Sequence, residues 1–145
     1  MKILKDFGDR LTELMLFDNL TTEELAKRLN IGRSTVHLWK TGKRNITLSN
    51  ALKLAEFFEC SLDFLLGRSD DKLSYTPRTY PPFYDRLLQI IDEKGMTRYR
   101  LVKDTKISDG NLYSWKNGGN PFIQTVIDLA DYFGYTLDCF IGLDK

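Results

Sequence analysis

A stretch of basic side chains that contains no acid is the part of this sequence that points most directly to chemistry. Between Leu25 and Ala55 there are seven lysines and arginines and no aspartate or glutamate. The seven are Lys27, Arg28, Arg33, Lys40, Lys43, Arg44 and Lys53. Because the whole chain carries a net charge of only +1, its charges are segregated along the sequence. A one-sided basic surface is typical of polyanion binders, although ordinary solvated helices also show one.

The segment 33–40, RSTVHLWK, places hydrogen-bonding side chains inside this basic stretch. Val36 and Trp39 have the helical spacing of residues that face a core. The side chains left to point outward are Arg33, Ser34, Thr35, His37 and Lys40. This set contains no acid and several short polar groups, which suits a helix that lies in the major groove of duplex DNA.

Other chemistry for these residues is less well supported. Trp39 and Trp115 would serve as base-stacking platforms or as core residues, and their spacing favours the core. His37 is the only histidine and has no Cys or carboxylate partners at ligand spacing, so we expect no metal site. We also expect no catalytic residues and no cofactor, because the sequence has no nucleophile–His–acid set, phosphate-binding glycine loop or cofactor motif. Lys43 and Arg44 are more consistent with a phosphate clamp than with idle surface.

The pattern occurs twice along the chain. Residues 7–67 align with residues 83–142 at an offset of 76, which becomes 75 after one deleted position near residue 121. The identities include Phe7/Phe83, Arg10/Arg86, Leu25/Leu101, Trp39/Trp115, Gly42/Gly118, Leu54/Leu129 and Leu62/Leu137. This period is too long for a solenoid repeat and suits a small domain. We therefore predict domains at 1–67 and 83–145, joined by a linker at 68–82 that holds three of the four prolines.

The spacing of apolar residues predicts that each copy consists of α-helices. In the first copy it predicts helices over 6–17, 22–29, 33–41, 48–58 and 62–66. Thr21 and Glu24 form a capping-box pattern at the start of the second helix, and Asn30 to Gly32 mark the turn after it. No segment shows the alternation of apolar and polar residues that is typical of a β-strand. The predicted fold class is all-α, with two tandem five-helix domains.

With these elements in place, the sequence resembles a known family. The segments LTTEELAKRLNIGRSTVHLWKTGKRNITLSNALKLAEFFECSLDFLLG and MTRYRLVKDTKISDGNLYSWKNGGNPFIQTVIDLADYFGYTLDCFIG are both similar to Cro/repressor-type (Xre-like, lambda-repressor-like) helix-turn-helix domains. With their leading helices they cover about 120 of the 145 residues. The resemblance implies five-helix domains that bind duplex DNA sequence-specifically, usually as a dimer on a two-fold symmetric operator.

The resemblance also implies which residues contact DNA. Base-reading positions fall on Arg33, Ser34, Thr35 and Leu38, with His37 close by, and in the second copy on Asp109, Gly110, Asn111 and Ser114, with Tyr113 close by. Phosphate contacts are expected from Thr22, Lys40, Lys43, Arg44, Arg98 and Lys116. By chemistry, Arg33 suits guanine and Asn111 suits adenine.

The second copy departs from the first at its presumed reading surface. Lys106 stands where Asn30 forms the turn, and Asp109 begins the second reading helix. Asp109 would cap that helix, accept from cytosine N4, or mark a loss of DNA affinity. We expect the second copy to be the weaker DNA reader.

Composition gives a further expectation about location. No apolar run approaches the roughly 18 residues of a membrane span, and in the opening Met-Lys-Ile-Leu-Lys-Asp a charge breaks the apolar stretch, so no secretory signal is visible. Cys60 and Cys139 are not at equivalent positions and do not form a disulfide framework. We expect a cytoplasmic protein with no membrane partner and no evident small-molecule effector.

Two classes of function remain from sequence alone. The first is a sequence-specific regulator of transcription, of the repressor type found in phages or mobile elements, that acts as a homodimer or as a tandem-domain monomer. Fifteen flexible residues span roughly 20–23 Å on average and about 45 Å if drawn out in polyproline form, so one chain has the reach to read half-sites about 34–36 Å apart. The second class is a protein-interaction module, such as an antitoxin or anti-repressor, whose second domain mediates dimerisation or partner binding.

Overall fold

The computed structural model describes residues 2–72 and 80–142, which form two compact units. The units divide between Thr76 and Pro77, inside the predicted linker. The first unit contains α1 (Lys2–Phe17), α2 (Thr22–Leu29), α3 (Arg33–Lys40), α4 (Leu48–Phe57) and α5 (Leu62–Leu65). The second contains α6 (Phe83–Glu93), α7 (Arg98–Asp104), α8 (Asp109–Lys116), α9 (Ile123–Phe133) and α10 (Leu137–Ile141). The predicted all-α class with two five-helix domains is confirmed.

The predicted helix limits of the first domain agree with the structure to within one residue, except at the start of the chain. The helix expected over 6–17 begins at Lys2, where a Lys2–Asp6 ion pair spans one turn at 3.4 Å. The ends of α3, α4 and α5 each lie one residue before the predicted ends. Among the described residues, no helix is both long enough and apolar enough to cross a membrane. Predicted linker residues 73–79 and predicted domain residues 1 and 143–145 lie outside the described ranges.

The turn between the second and third helices is made differently in the two domains. In the first, Asn30 takes the left-handed conformation (φ 54°), and its N–H donates to carbonyls of α2. In the second, α7 ends earlier and Thr105 is extended. The Thr105 hydroxyl donates to Leu101 O at 2.7 Å and accepts from the Ile107 N–H at 3.2 Å. Lys106 therefore does not need the left-handed backbone for which Asn30 is suited.

Each domain buries its own tryptophan. Trp39 is 1% exposed, meets Phe7 edge-on with ring centroids 6.2 Å apart, and donates its Nε1–H to Asn45 O. Trp115 is 7% exposed and meets Phe83 edge-on at 5.2 Å. Both tryptophans are core residues, as their spacing predicted, so neither offers a free face for stacking on a base.

In each domain, one arginine joins the first helix to the last, and the two arginines occupy equivalent positions of the repeat. Arg10 donates to the backbone carbonyl of Phe64 and lies over the Phe64 ring, 3.9 Å from its centroid. Arg86 donates to Phe140 O and Cys139 O, each at 2.9 Å. These bonds tie the first helix to backbone carbonyls of the last helix, where two of the three carbonyls, Phe64 O and Cys139 O, also accept a backbone N–H. The Arg10/Arg86 identity of the repeat is therefore structural.

A glycine brings α1 against the end of α3 in the first domain. A Cβ added at Gly8 would lie 2.6 Å from Trp39 O and 2.7 Å from Lys40 O. Any larger side chain would collide with the backbone of α3. The equivalent residue in the second domain is Tyr84, which is 9% exposed, so α6 does not repeat this backbone approach to α8. The third helix is therefore held differently in the two domains.

We predict that Gly8→Ala destabilises the first domain by at least about 2 kcal/mol, because the new methyl group meets backbone atoms that have no rotamer to change. Urea unfolding of the whole chain, followed through tryptophan fluorescence, would measure the loss. Gly110→Ala is the matched control, since a Cβ there is 3.5 Å from the Ser108 hydroxyl. That variant should be neutral or more stable by up to about 1 kcal/mol. Equal effects of the two substitutions would contradict the α1–α3 contact described here.

Candidate nucleic-acid interface

The third helix of the first domain, α3, turns its polar side outward because its two buried residues are anchored. Val36 is fully buried and Trp39 nearly so. On the remaining surface Arg33, Ser34 and His37 are exposed, while Thr35 and Leu38 are half-buried. All five predicted base-reading residues of this helix thus retain some access to a ligand. Whether they contact bases stays a prediction.

Two of the predicted phosphate-binding residues meet at the start of α2. The Lys40 Nζ donates to the Thr22 hydroxyl at 3.1 Å. Thr22 is the first residue of α2, where free backbone N–H groups and the helix dipole favour an anion. A lysine ammonium held beside that helix start adds a full positive charge to the same place. The pair forms a compact cationic group at one border of α3.

The loop after α3 carries two more of these residues, and one reaches back along the helix. Lys43 and Arg44 are both exposed. The Arg44 Nη1 donates to the Thr35 hydroxyl at 3.4 Å. Arg44 was predicted to bind phosphate and Thr35 to read bases, yet the structure places them in contact. The cationic surface therefore extends over the face expected to read bases.

One acidic residue belongs to this surface and was not among the predicted site residues. Glu23 Oε1 lies 3.4 Å from Arg33 Nε, and both side chains are about 70% exposed. In the sequence, Glu23 lies just before the acid-free basic stretch. The contact joins α2 to α3 across the turn. A basic residue opening the third helix and an acid in the first turn of the second were the only sequence signals for it.

In the second domain, Ser108 caps α8, and Asp109 does not. The Asn111 N–H donates to the Ser108 hydroxyl at 3.1 Å, and the Ser108 N–H donates to Asn111 Oδ1 at 2.9 Å. Asp109 is the first residue of the helix and is exposed. The expectation that Asp109 could cap the helix is therefore wrong, because the preceding serine already supplies the cap.

The same capping box changes what Asn111 offers to DNA. A bidentate contact with adenine uses both the oxygen and the nitrogen of the amide. The Asn111 oxygen already accepts from the Ser108 backbone, which leaves its NH₂ group for a ligand. Gly110, Tyr113 and Ser114 are exposed on the same helix, Tyr113 by 72%. The second reading face is thus more aromatic and less basic than the first.

The expected phosphate contacts of the second domain are also fewer. Arg98 is exposed, and its Nη1 donates to the Tyr84 hydroxyl at 3.3 Å, while Lys116 is exposed at the end of α8. The positions equivalent to Lys43 and Arg44 are Gly119 and Asn120. The surface around α8 therefore lacks two positive charges that the surface around α3 has.

Comparisons with known proteins agree with this arrangement. A helix-turn-helix family model matches residues 18–65, and a model of the Cro/C1-type HTH DNA-binding domain matches residues 86–142. The chain belongs to the Cro/C1-type helix-turn-helix family, which confirms the resemblance seen in the sequence. The protein is accordingly a DNA-binding regulator of transcription in its general class.

Individual relatives each match about one domain of the chain. An uncharacterized HTH-type transcriptional regulator of Methanocaldococcus jannaschii is 37% identical over 37% of this chain and 82% of its own length. One of Archaeoglobus fulgidus is 33% identical over 44% of this chain and 90% of its own. The HTH-type transcriptional activator BcrR of Enterococcus faecalis is 31% identical over 43% of this chain, which spans only 30% of that relative. A crystal structure of the restriction-modification controller protein C.AhdI from Aeromonas hydrophila is 37% identical, covers 45% of this chain and 98% of its own, and has a TM-score of 0.42.

The capping box at the start of α2 makes the stability of the first domain depend on pH. The Glu24 carboxylate accepts from the Thr21 backbone N–H at 3.0 Å, and this bond, followed by the one with the Thr21 hydroxyl, lowers the pKa of Glu24 below its ordinary value of 4.5. A carboxyl whose pKa is lowered on folding stabilises the fold above its unfolded pKa. It loses that contribution as the pH falls through the folded pKa.

We predict that Glu24→Gln is less stable than the wild type above pH 4.5 and that the difference shrinks as the pH is lowered further. Glutamine still accepts the capping hydrogen bond but does not titrate. Urea unfolding of both proteins over a pH series would measure the difference. A difference that stays constant down to pH 2 would show that the charge of Glu24 plays no part in the cap.

Proposed function

We propose that this protein is a repressor-type regulator that reads a bipartite duplex DNA site, with α3 as the principal reader and α8 as the weaker one. The observation that carries the proposal is the surface of α3. Its outward residues are polar or basic, and it is bordered by the Thr22–Lys40 pair on one side and by Arg44 on the other. The flanking cations would hold phosphates and fix the register, while the helix between them would read base edges.

Repression is the regulatory action that this architecture supports best. Two DNA-binding domains account for the residues that the structure describes. A tandem protein seated on about two helical turns of DNA excludes other proteins from that stretch by occupying it. A promoter–reporter assay in cells tests this step, because lower expression when the protein is present supports repression and higher expression contradicts it.

We predict distinct effects for Arg33→Ala and Lys43→Ala. Loss of Arg33 should remove about 1–3 kcal/mol of discrimination at one guanine position. Loss of Lys43 should weaken binding to all sequences alike and lower the slope of log K against log salt by about 1. Binding titrations on duplexes that differ at single base pairs, repeated over a salt series, would measure both.

The control for this comparison is Lys53→Ala, which removes one exposed positive charge from α4, outside the α2–α3 surface. It should leave base discrimination unchanged and lower the salt slope less than Lys43→Ala does. If Arg33→Ala and Lys43→Ala fold normally and neither alters DNA binding, α3 is not the reading helix. That result would favour the alternative function, a protein-interaction module.

The bipartite site depends on the tether between the domains. Half-sites one helical turn apart are about 34–36 Å from centre to centre. We predict that shortening the linker to five residues lowers affinity for the bipartite site by about a hundredfold or more, because five residues reach at most about 18 Å. A Gly/Ser linker of the original length should bind within a few-fold of the wild type. Titrations of both variants against the same duplex would decide.

The surface of the second domain keeps an alternative open. Tyr99 and Tyr113 are 76% and 72% exposed, Asp109 is exposed, and Asn111 is engaged in its own cap. Exposed tyrosines are typical of protein interfaces, and an exposed acid on α8 repels a phosphate backbone. In that case the second domain would dimerise or bind a partner, as in an antitoxin or anti-repressor. Shortening the linker would then leave DNA affinity unchanged.

A further inference from the structure

The Arg33–Glu23 ion pair has a geometry that stability does not explain. The two atoms closest to each other are Arg33 Nε and Glu23 Oε1, at 3.4 Å, and the side chains are 72% and 71% exposed. Surface pairs of this kind contribute little to folding, because water screens the charges and two long side chains must be ordered. The pair joins α2 to the first residue of the expected reading helix, a position from which it could act on DNA binding.

The part of Arg33 that the contact leaves free is the part that reads guanine. A guanidinium group has five N–H donors in a rigid plane, and its terminal nitrogens, Nη1 and Nη2, can donate together to the O6 and N7 atoms of guanine. The carboxylate of Glu23 engages the inner nitrogen, Nε. Attraction between the two charges favours the rotamers of Arg33 in which Nε faces Glu23 and the terminal nitrogens face away from it.

We propose that Glu23 is a positioning residue, which holds the plane of Arg33 so that its terminal nitrogens face one guanine of the DNA site. This inference rests on the proposed function, since it assumes that α3 reads duplex DNA. Glu23 is itself well placed, because the capping box of Thr21 and Glu24 fixes the first turn of α2 on both sides of it. The cap thus fixes the backbone that carries Glu23, and the ion pair with Glu23 in turn orients Arg33, the first residue of α3.

The negative charge of Glu23 has a second consequence. A carboxylate beside the groove repels phosphates, so it lowers affinity for every DNA sequence by a similar factor. On the correct sequence, the guanine contact offsets this repulsion. Because this factor is the same for all sequences, it cancels from the ratio of affinities, and discrimination depends on the positioning of Arg33 alone.

The second domain lacks this arrangement. The positions equivalent to Glu23 and Arg33 are Tyr99 and Asp109, which are an aromatic residue and an acid. Neither can present a fixed pair of donors to guanine. The device belongs to the first domain alone, so a guanine read in this way is expected in only one half of a bipartite site.

The test compares four proteins: the wild type, Glu23→Gln, Arg33→Ala and the double variant. Each is titrated against the preferred duplex and against three duplexes that carry the other bases at the guanine position. We expect Glu23→Gln to lower discrimination at that position by about fivefold or more, the lower end of what a bidentate contact supplies. Its affinity for unrelated DNA should rise. In the Arg33→Ala background the same change should not alter discrimination.

A matched control distinguishes the positioning of Arg33 by Glu23 from the general effect of removing one negative charge. Glu56→Gln removes one negative charge from an exposed position on α4 and should leave discrimination unchanged. Urea unfolding should show Glu23→Gln to be as stable as the wild type, since the pair is exposed.

The outcomes also separate this inference from the function on which it rests. If the wild type prefers a guanine and Arg33→Ala abolishes that preference while Glu23→Gln only raises affinity for all sequences, Glu23 acts by charge alone and the inference fails. If Arg33→Ala leaves sequence preference intact, or the wild type has none, the proposed function itself fails.

Discussion

The close approach of α1 to α3 is the constraint on which the candidate interface depends. At Gly8 the two helix backbones come too near for any side chain between them. Val36 and Trp39 are buried on the same side of α3, so the helix has one rotational setting. In that setting its polar side faces outward, and the lysine at its end lies beside the start of α2. Packing on one side of the helix thus determines what the other side presents.

The two domains show how one core can carry two different surfaces. Equivalent arginines and tryptophans hold the framework of each, while the residues around the third helix differ. The first domain has cations from Lys40 and Arg44 beside its third helix and an ion pair at the start of that helix. The second has an aspartate, an exposed tyrosine and an asparagine engaged in a cap. Framework residues are constrained by packing, whereas exposed residues are free to differ, so the differences between the third helices of the two domains lie mainly on the surface.

Much of the fold follows from the sequence because it depends on local rules. Apolar spacing gave the helices to within a few residues, and the Thr21–Glu24 pattern correctly marked the start of α2. The start of α1 was missed because the Lys2–Asp6 ion pair spans only one turn and is a weak signal in the sequence. The pattern of buried and exposed residues on α3 was also predictable, since it depends on the helical period alone.

The parts that could not be predicted are contacts between elements. The Glu23–Arg33 pair joins two helices whose separation depends on the turn between them, so neither residue signals it alone. The cap formed by Ser108 and Asn111 competes with the adenine contact expected of Asn111, and only geometry shows which atom is engaged. Thr105 closes its turn with a side chain, a solution that the pattern based on Asn30 did not include. The roles of the individual residues toward DNA stay predictions.

The most direct test of the central claim is selection from a random duplex DNA library with the intact protein near physiological salt. The account predicts an asymmetric motif in two parts with a fixed gap, the stronger part containing a guanine and the weaker part tolerating more bases. Enrichment of a single short motif would limit reading to one domain and contradict the bipartite site. No enrichment at all would contradict the assignment of α3 as a reader of DNA sequence.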